Sequence, residues 1–138
     1  MKGEARMILK PLHVGISVGD MEAALKWYKD NLDFELIKDD YIPPLGARIC
    51  FIRNGDFDLE LFKYDDPKPL PEDRFTPNTD LQTIGTKHVA FEVPDMAALK
   101  ERFLANGVDI AHETVMEGNF VMFVRDNSGV IIEFIQNN

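Results

Sequence analysis

The chain has 138 residues, of which 45% are hydrophobic and 28% are charged, with a formal net charge of -9. These values fit one globular domain, and no apolar stretch reaches the ~18 residues of a membrane-spanning helix. A net negative charge opposes binding to polyanions, because phosphate contacts need clustered Lys and Arg. We therefore expect neither nucleic acid nor a membrane as a partner.

Two local features bear on cellular location and on cysteine chemistry. Met1 to Met7 are mostly polar or charged and lack the apolar stretch of a secretory leader, so we expect a cytoplasmic protein. The single cysteine, Cys50, lies in the apolar run Ile49 to Ile52. It is expected to be a small buried hydrophobic residue without a catalytic role.

The first predicted element is a strand near His13, and its sequence recurs later in the chain. Residues 12–21 read LHVGISVGDM, and residues 87–96 read KHVAFEVPDM, an offset of 75 from 88 minus 13. A helical pattern follows each copy. Asp20 and Asp95 are placed to cap the amino ends of these helices, and Asn31 and Asn106 to end them.

Three short strand patterns follow each predicted helix. They cover residues 34–38, 47–53 and 57–62 in the first copy, and residues 108–115, 120–125 and 130–135 in the second. Asn54-Gly55-Asp56 predicts a hairpin turn. The order strand, helix, strand, strand, strand therefore occurs twice within a single domain over residues 1–138. The modules span about 8–64 and 86–136, and the proline-containing segment 65–85 predicts an irregular linker that either covers a site or merely connects the modules.

Each module carries a histidine near its first strand and a glutamate in its last strand. His13 matches His88, and Glu60 matches Glu133 with an offset of 73, from 133 minus 60. Strand alternation points each glutamate away from the apolar residues on either side of it. A histidine at a strand start is often structural, and a strand glutamate often faces water. Ligand-type residues at matching places in both modules instead favour a shared metal site.

The charges of these side chains specify the kind of ligand. Two carboxylates that converge with two imidazoles would repel each other unless a cation lies between them. A set of two histidines and two glutamates suits one divalent ion of Zn, Ni, Co, Mn or Fe.

The sequence resembles the vicinal oxygen chelate superfamily, which includes glyoxalase I, bleomycin resistance proteins and extradiol dioxygenases. The resemblance runs from about Leu12 to Ile135. It rests on HVGISV at residues 13–18, Trp27-Tyr28, KHVAFEV at residues 87–93 and DNSGVIIE at residues 126–133. It implies an α+β, glyoxalase-like fold in which two βαβββ modules form an eight-stranded cup. It also implies a homodimer, in which chains sometimes complete the site together.

The resemblance further implies a metal-dependent isomerase, epimerase or lyase. The ion would stabilise an enediolate or enolate of a small hydroxy-carbonyl or acyl substrate. Glu133 would act as the base, with Glu60 as its symmetry-related partner. Ser17 and Tyr64 stand where glyoxalase I enzymes hold glutathione, which argues against a glutathione adduct. The alternatives are a non-catalytic protein that binds an antibiotic-type molecule, and an Fe(II) dioxygenase.

Further side chains are candidates for lining the substrate pocket. Phe51 and Phe123 occupy matching places and either line the cup or belong to the core. Arg48, Arg53 and Arg125 are cationic candidates for a substrate carboxylate or phosphate, and exposed surface arginine is the other interpretation. His112 has no histidine counterpart in the first module and is expected to be a surface residue.

Overall fold

The computed structural model describes residues 5–137 and contains two similar modules. The first holds β1 (His13–Ser17), α1 (Met21–Leu32), β2 (Glu35–Ile42), β3 (Ala47–Asn54) and β4 (Phe57–Tyr64). The second holds β5 (Val89–Glu92), α3 (Met96–Ala105), β6 (Asp109–Met116), β7 (Asn119–Arg125) and β8 (Ile131–Gln136). Between them lie a 3₁₀ turn (Glu72–Arg74) and the short helix α2 (Pro77–Gln82).

Each module folds into a four-stranded sheet with the same strand order. The orders are β1-β4-β3-β2 and β5-β8-β7-β6, and β1 and β5 pair in parallel with β4 and β8. A helix follows the first strand in each module, as a parallel pairing requires, because a tight turn cannot connect parallel strands. The predicted α+β fold of two tandem βαβββ modules is confirmed.

Both predicted helix starts are confirmed. The side chains of Asp20 and Asp95 accept hydrogen bonds of 3.0 Å from the amides of Ala23 and Ala98. The prediction that Asn31 ends α1 is wrong. Asp33 takes the left-handed conformation there, with a φ of 58°.

The second strand of each module, β2 or β6, begins one residue later than predicted, and β2 is also longer than predicted. The pattern at residues 34–38 continues as β2 to Ile42, and Phe34 packs in the core just before the strand begins. Register shifts fall at equivalent places, between Leu36 and Lys38 and between Ile110 and His112. A shift of this kind changes which side chains face each side of the sheet.

The two modules share one hydrophobic core on the helix side of their sheets. Tyr28 of α1 and Phe103 of α3 are fully buried, and Phe134 of β8 packs against Phe103. Phe57 and Phe91 join the modules with ring centroids 5.6 Å apart. The sheet faces opposite the helices therefore remain for other contacts.

A buried hydrogen bond also joins the modules. The hydroxyl group of Tyr28 donates to Asp126 Oδ2 over 2.7 Å. The other carboxylate oxygen of Asp126 accepts from the amides of Ser128 and Val130. Asp126 is one of three buried polar or charged side chains recorded among residues 5–137.

The linker is more ordered than its proline content predicted. Phe75 packs under the guanidinium of Arg125, whose carbon lies 3.9 Å from the ring centroid. Arg125 Nε also donates to the Phe75 carbonyl over 2.7 Å. The segment expected to be irregular therefore contains a 3₁₀ turn and a short helix, and Phe75 in it contacts Arg125 at the end of β7.

Two further expectations concern Cys50 and membrane association. Cys50 is fully buried, and burial raises the pKa of its thiol to about 11, so the thiol is protonated at neutral pH. Within residues 5–137, no helix has the length and apolar character needed to cross a bilayer. The cytoplasmic location stays a prediction, and Met1 to Glu4, which belong to the segment behind it, lie outside the described residues.

Candidate metal centre

His13 and Glu60 form a pair on one face of the first sheet. The Nε2 atom of His13 lies 3.1 Å from Glu60 Oε1. The parallel register of β1 and β4 produces this contact, because it places Gly15 opposite Glu60 and His13 two residues earlier on the same face. Gly15 has no side chain to separate the two groups.

His88 and Glu133 form the equivalent pair in the second module. The Nε2 atom of His88 also lies 3.1 Å from Glu133 Oε1. Here Ala90 stands opposite Glu133, as Gly15 stands opposite Glu60. The duplicated sequence has therefore produced the same local geometry twice.

The predicted separation of faces on the last strand of each module is confirmed. Leu59 and Leu61 are fully buried in the core, while Glu60 between them points to the other side of the sheet, toward His13. Ile132 and Phe134 are likewise buried on either side of Glu133. Apolar packing on one face thus fixes each carboxylate on the opposite face.

A phenylalanine ring packs beside each histidine. His13 and Phe51 meet edge to face with ring centroids 5.4 Å apart, and His88 and Phe123 do so at the same distance. Phe123 is also buried in a small cluster with Val121. Both phenylalanines therefore lie next to the imidazoles, and Phe123 belongs to a local core as well.

The donor spacing within each pair suits a bound ion. Two donors each about 2.1 Å from one ion, at an angle between tetrahedral and octahedral values, lie about 3.0 to 3.4 Å apart. The observed separations of 3.1 Å fall in this range, and a shared proton also fits them. Each pair therefore has the composition and spacing of half of a four-ligand site.

The structure does not bring the four side chains into one group within a single chain. Among residues 5–137, no three His, Cys, Asp or Glu side chains form a group that could hold a metal ion. Each sheet carries one pair, and two donors alone do not make a structural or catalytic divalent site. A single ion bound by His13, Glu60, His88 and Glu133 stays a prediction.

His112 lies on the same face as the second pair. It stands opposite Phe123, which stands opposite Glu133, so these three side chains form one row across β6, β7 and β8. The rings of His112 and Phe123 are 6.5 Å apart. Although His112 is exposed as expected, its position beside the candidate site was not predicted.

Lys38 is the positional counterpart of His112 in the first module. It stands opposite Phe51, which stands opposite Glu60. Both residues directly follow the register shift in their strand, and that irregularity hid the match from simple alternation. Each half of the candidate site therefore has a nitrogen-bearing side chain at the outer end of its row.

The three arginines considered for anion binding already have carboxylate partners: Arg48 contacts Asp39 and Glu22, Arg53 contacts Asp58, and Arg125 contacts Asp109. The contact of Arg53 is bidentate, with distances of 2.7 and 3.1 Å. Its charge is therefore compensated within the chain. A substrate-binding role for Arg53 stays a prediction that would require this ion pair to open or to be shared.

A cavity of about 850 Å³ opens between the first sheet, the linker and the start of β5. Ser17, Tyr64, Lys87 and His88 are among its lining residues. Its volume matches that of a pocket for a small molecule. One member of the second His–Glu pair thus borders a space large enough for a ligand.

The family of the chain follows from this fold and from a match over almost its whole length. The model for the Glyoxalase/Bleomycin resistance protein/Dioxygenase superfamily matches residues 10–134. This protein belongs to that superfamily. Membership agrees with the resemblance inferred from the sequence and with the two βαβββ modules.

Three relatives illustrate the likeness. Lactoylglutathione lyase of Haemophilus influenzae is 31% identical over 133 residues, which cover 91% of each chain. A glyoxalase family protein from Enterococcus faecalis superposes with a TM-score of 0.78 at 22% identity, covering 91% of this chain and 96% of the other. The trypanothione-dependent glyoxalase I of Leishmania major gives a TM-score of 0.75 at 23% identity, covering 94% and 87%. The two structures establish the fold, and the curated relative adds an enzymatic likeness.

Proposed function

We propose that this protein is a divalent-metal-dependent lyase or isomerase of the glyoxalase type, which moves a proton on a carbon beside a carbonyl group. The observation that carries the proposal is the repeated His–Glu pair, with a separation of 3.1 Å in each module. The likeness to lactoylglutathione lyase at 31% identity supports an enzymatic role.

The ion is proposed to lie between two copies of the chain. One pair offers two donors, and no larger ligand group exists within residues 5–137. The carboxylates are only partly accessible, with side-chain exposures of 19% for Glu60 and 14% for Glu133. A twofold dimer that set the first module of one chain against the second module of its partner would give two sites with four ligands each.

The residues of the chain would divide the work of proton transfer. When bound, the ion stabilises the negative charge that develops on a substrate oxygen as the adjacent carbon loses its proton. Glu133 accepts that proton on a carboxylate oxygen and returns it to the neighbouring carbon. Glu60 balances the charge on the opposite side, and His13 and His88 complete the ligand set. The proton of the substrate hydroxyl group passes to the former carbonyl oxygen, so the product is an isomer of the substrate and the reaction needs no oxidant or reductant.

The substrate is proposed to be a small carbonyl compound with an adjacent oxygen. The name of the Haemophilus influenzae relative makes a thiol adduct of a 2-oxo aldehyde the first substrate to test. Ser17 and Tyr64, which line the neighbouring cavity, are neutral. They offer no positive charge to a peptide carboxylate, whereas Lys68 and Lys87 in the same lining do, so adducts of glutathione and of smaller thiols both belong in the assay.

A mixing experiment tests the site and its two-chain composition together. His13→Ala and His88→Ala each remove one ligand, so each variant alone should be inactive. Heterodimers of the two would contain one intact site and one doubly damaged site. Statistical mixing should therefore restore about one quarter of wild-type turnover. A site formed within one chain would give no restoration.

The alternative functions predict other results from the wild-type protein. A metal-dependent lyase loses turnover on chelation and regains it when the ion is returned. A non-catalytic binding protein would bind its ligand equally well after chelation, and a dioxygenase would consume oxygen with Fe(II). Either of these outcomes, without chelator-sensitive isomerisation, would contradict the proposal.

A further inference from the structure

Asp80 is a buried carboxylate outside the two His–Glu pairs. It lies in α2 of the linker, and only 2% of its surface is exposed. Its Oδ1 atom accepts from Arg74 Nε over 3.0 Å and lies 3.3 Å from Lys87 Nζ. A buried ionised carboxylate needs such partners, because an unpaired charge in the interior is costly. One of these partners, Lys87, immediately precedes His88.

The same side chains also hold the backbone next to His88. Arg74 donates to the carbonyl oxygens of Thr86 and Lys87 over 3.3 and 3.2 Å. Lys87 Nζ donates to the Asp80 carbonyl over 2.7 Å. The carbonyl of Lys87 belongs to the peptide bond that enters His88. The linker therefore fixes the peptide group from which the imidazole projects.

Among residues 5–137, no equivalent set of contacts holds the backbone before His13 in the first module. The segment before His13 is open to solvent, with Leu9 and Leu12 80% and 75% exposed. The side chain of His13 is itself 30% exposed, compared with 17% for His88. The two pairs have the same donor spacing, but they differ in how their histidines are held.

We propose that Asp80 is a positioning residue for His88. Through Arg74 and Lys87 it holds the peptide entering His88, so that the imidazole faces Glu133 before any ligand arrives. Groups behind a metal-binding histidine commonly set its orientation, and their loss lowers metal affinity by about 10- to 100-fold. The link to catalysis rests on the proposed function, whereas the effect on the orientation of His88 is a property of the chain alone.

Asp80→Asn tests the proposal because it keeps the side-chain shape and removes the charge. In metal-free protein, amide hydrogen exchange at residues 88–91 should accelerate at least about tenfold, while exchange at residues 13–16 stays unchanged. A titration with Co²⁺ should show at least about tenfold weaker binding. Asp33→Asn, which removes the exposed 2.8 Å contact with Arg102, is the matched control and should change neither measurement.

Arg74→Gln provides a second variant if Asp80→Asn fails to fold. It keeps the Asp80–Lys87 contact, removes the two bonds to the carbonyl groups before His88, and alters a side chain that is 35% exposed. It should reproduce the faster exchange at residues 88–91. Unchanged exchange there, or an equal increase in both modules, would overturn the positioning role. Wild-type protein that bound no Co²⁺ would contradict the proposed function, while the exchange data would still decide the role of Asp80.

Discussion

Tyr28 and Asp126 form a buried 2.7 Å hydrogen bond that joins the two modules. Burial, followed by the nearby Asp126 charge, raises the pKa of Tyr28, so its hydroxyl group is the proton donor at neutral pH. Tyr28→Phe would leave a carboxylate oxygen of Asp126 without this donor. We expect it to lower the free energy of unfolding by about 1 to 3 kcal/mol.

Urea unfolding at neutral pH measures this effect. Tyr41→Phe is the matched control, because Tyr41 also donates to an aspartate, Asp65, but at the surface. An exposed contact of this kind contributes less than about 1 kcal/mol. If Tyr28→Phe and Tyr41→Phe lowered the free energy of unfolding equally, the buried bond between the modules would contribute no more to stability than an exposed one.

Asp126 should also give stability a distinctive pH dependence. Burial is the largest influence on this carboxyl group and raises its pKa from 3.8, although the Tyr28 hydroxyl and backbone amides act in the opposite direction. The folded protein therefore takes up this proton more readily than the unfolded chain. The contribution of Asp126 protonation to the free energy of unfolding is therefore complete below the ordinary pKa of an aspartate. It is lost as the pH rises through the raised pKa of the folded protein.

Asp126→Asn removes this titration. As the pH rises from the ordinary to the raised pKa of Asp126, the wild type should therefore lose unfolding free energy that the variant does not lose. The stability of the variant relative to the wild type should increase over this pH range. Urea titrations at several pH values from 3 upward measure it, and taking the difference cancels the other carboxyl groups. A constant difference across the range would show that the pKa of Asp126 is the same in the folded and unfolded states.

Glu60→Gln and Glu133→Gln should separate catalysis from folding. Each keeps the side-chain shape and the buried leucine, isoleucine or phenylalanine neighbours, but each loses the charge of a proposed ligand. We expect turnover to fall at least about 100-fold with a small change in melting temperature. Glu101→Gln, on the exposed surface of α3, is the control. Normal turnover in both Glu60→Gln and Glu133→Gln would refute the proposed proton-transfer mechanism.

His112→Ala should affect substrate binding more than chemistry. His112 lies one strand beyond Phe123 in the row that contains Glu133, so it can contact a part of the substrate remote from the reacting carbon. We expect KM to rise about three- to tenfold, with kcat within about twofold of the wild type.

Glu113→Ala provides a neighbouring control for His112→Ala. Glu113 points to the other side of β6 and contacts Lys100 over 2.9 Å. Steady-state kinetics with whichever thiol adduct is turned over in the proposed assay compares the two variants. An unchanged KM in His112→Ala would show that His112 does not contribute to substrate binding.

The duplicated fold was predictable because its signals are local and occur twice. Asp20 and Asp95 cap their helices as expected, and the apolar alternation around Glu60 and Glu133 assigned both carboxylates to the correct face. The equivalence of His13 with His88, and of Glu60 with Glu133, followed from matching positions in two similar modules. These features depend on strand and helix periodicity, which a single sequence displays directly.

The features that were missed depend on irregular backbone or on distant contacts. Register shifts in β2 and β6 placed Lys38 and His112 beside the pairs, and alternation alone does not reveal such shifts. Asp80 lies among the prolines and charges of the linker, and its burial results from contacts with Arg74 and Lys87. The two His–Glu pairs are separated within one chain because each lies on its own sheet. The spacing of residues along the sequence does not specify how the two sheets pack.

In the proposed two-chain site, one His–Glu pair on each sheet would link assembly to cation occupancy. If each ion joins two protomers, ion uptake and self-association are a single thermodynamic equilibrium, and each promotes the other by mass action. Dilution would then favour release of the ion, and a chelator would favour separate protomers. The protein would be active only above a threshold set jointly by its own concentration and by the supply of free divalent metal.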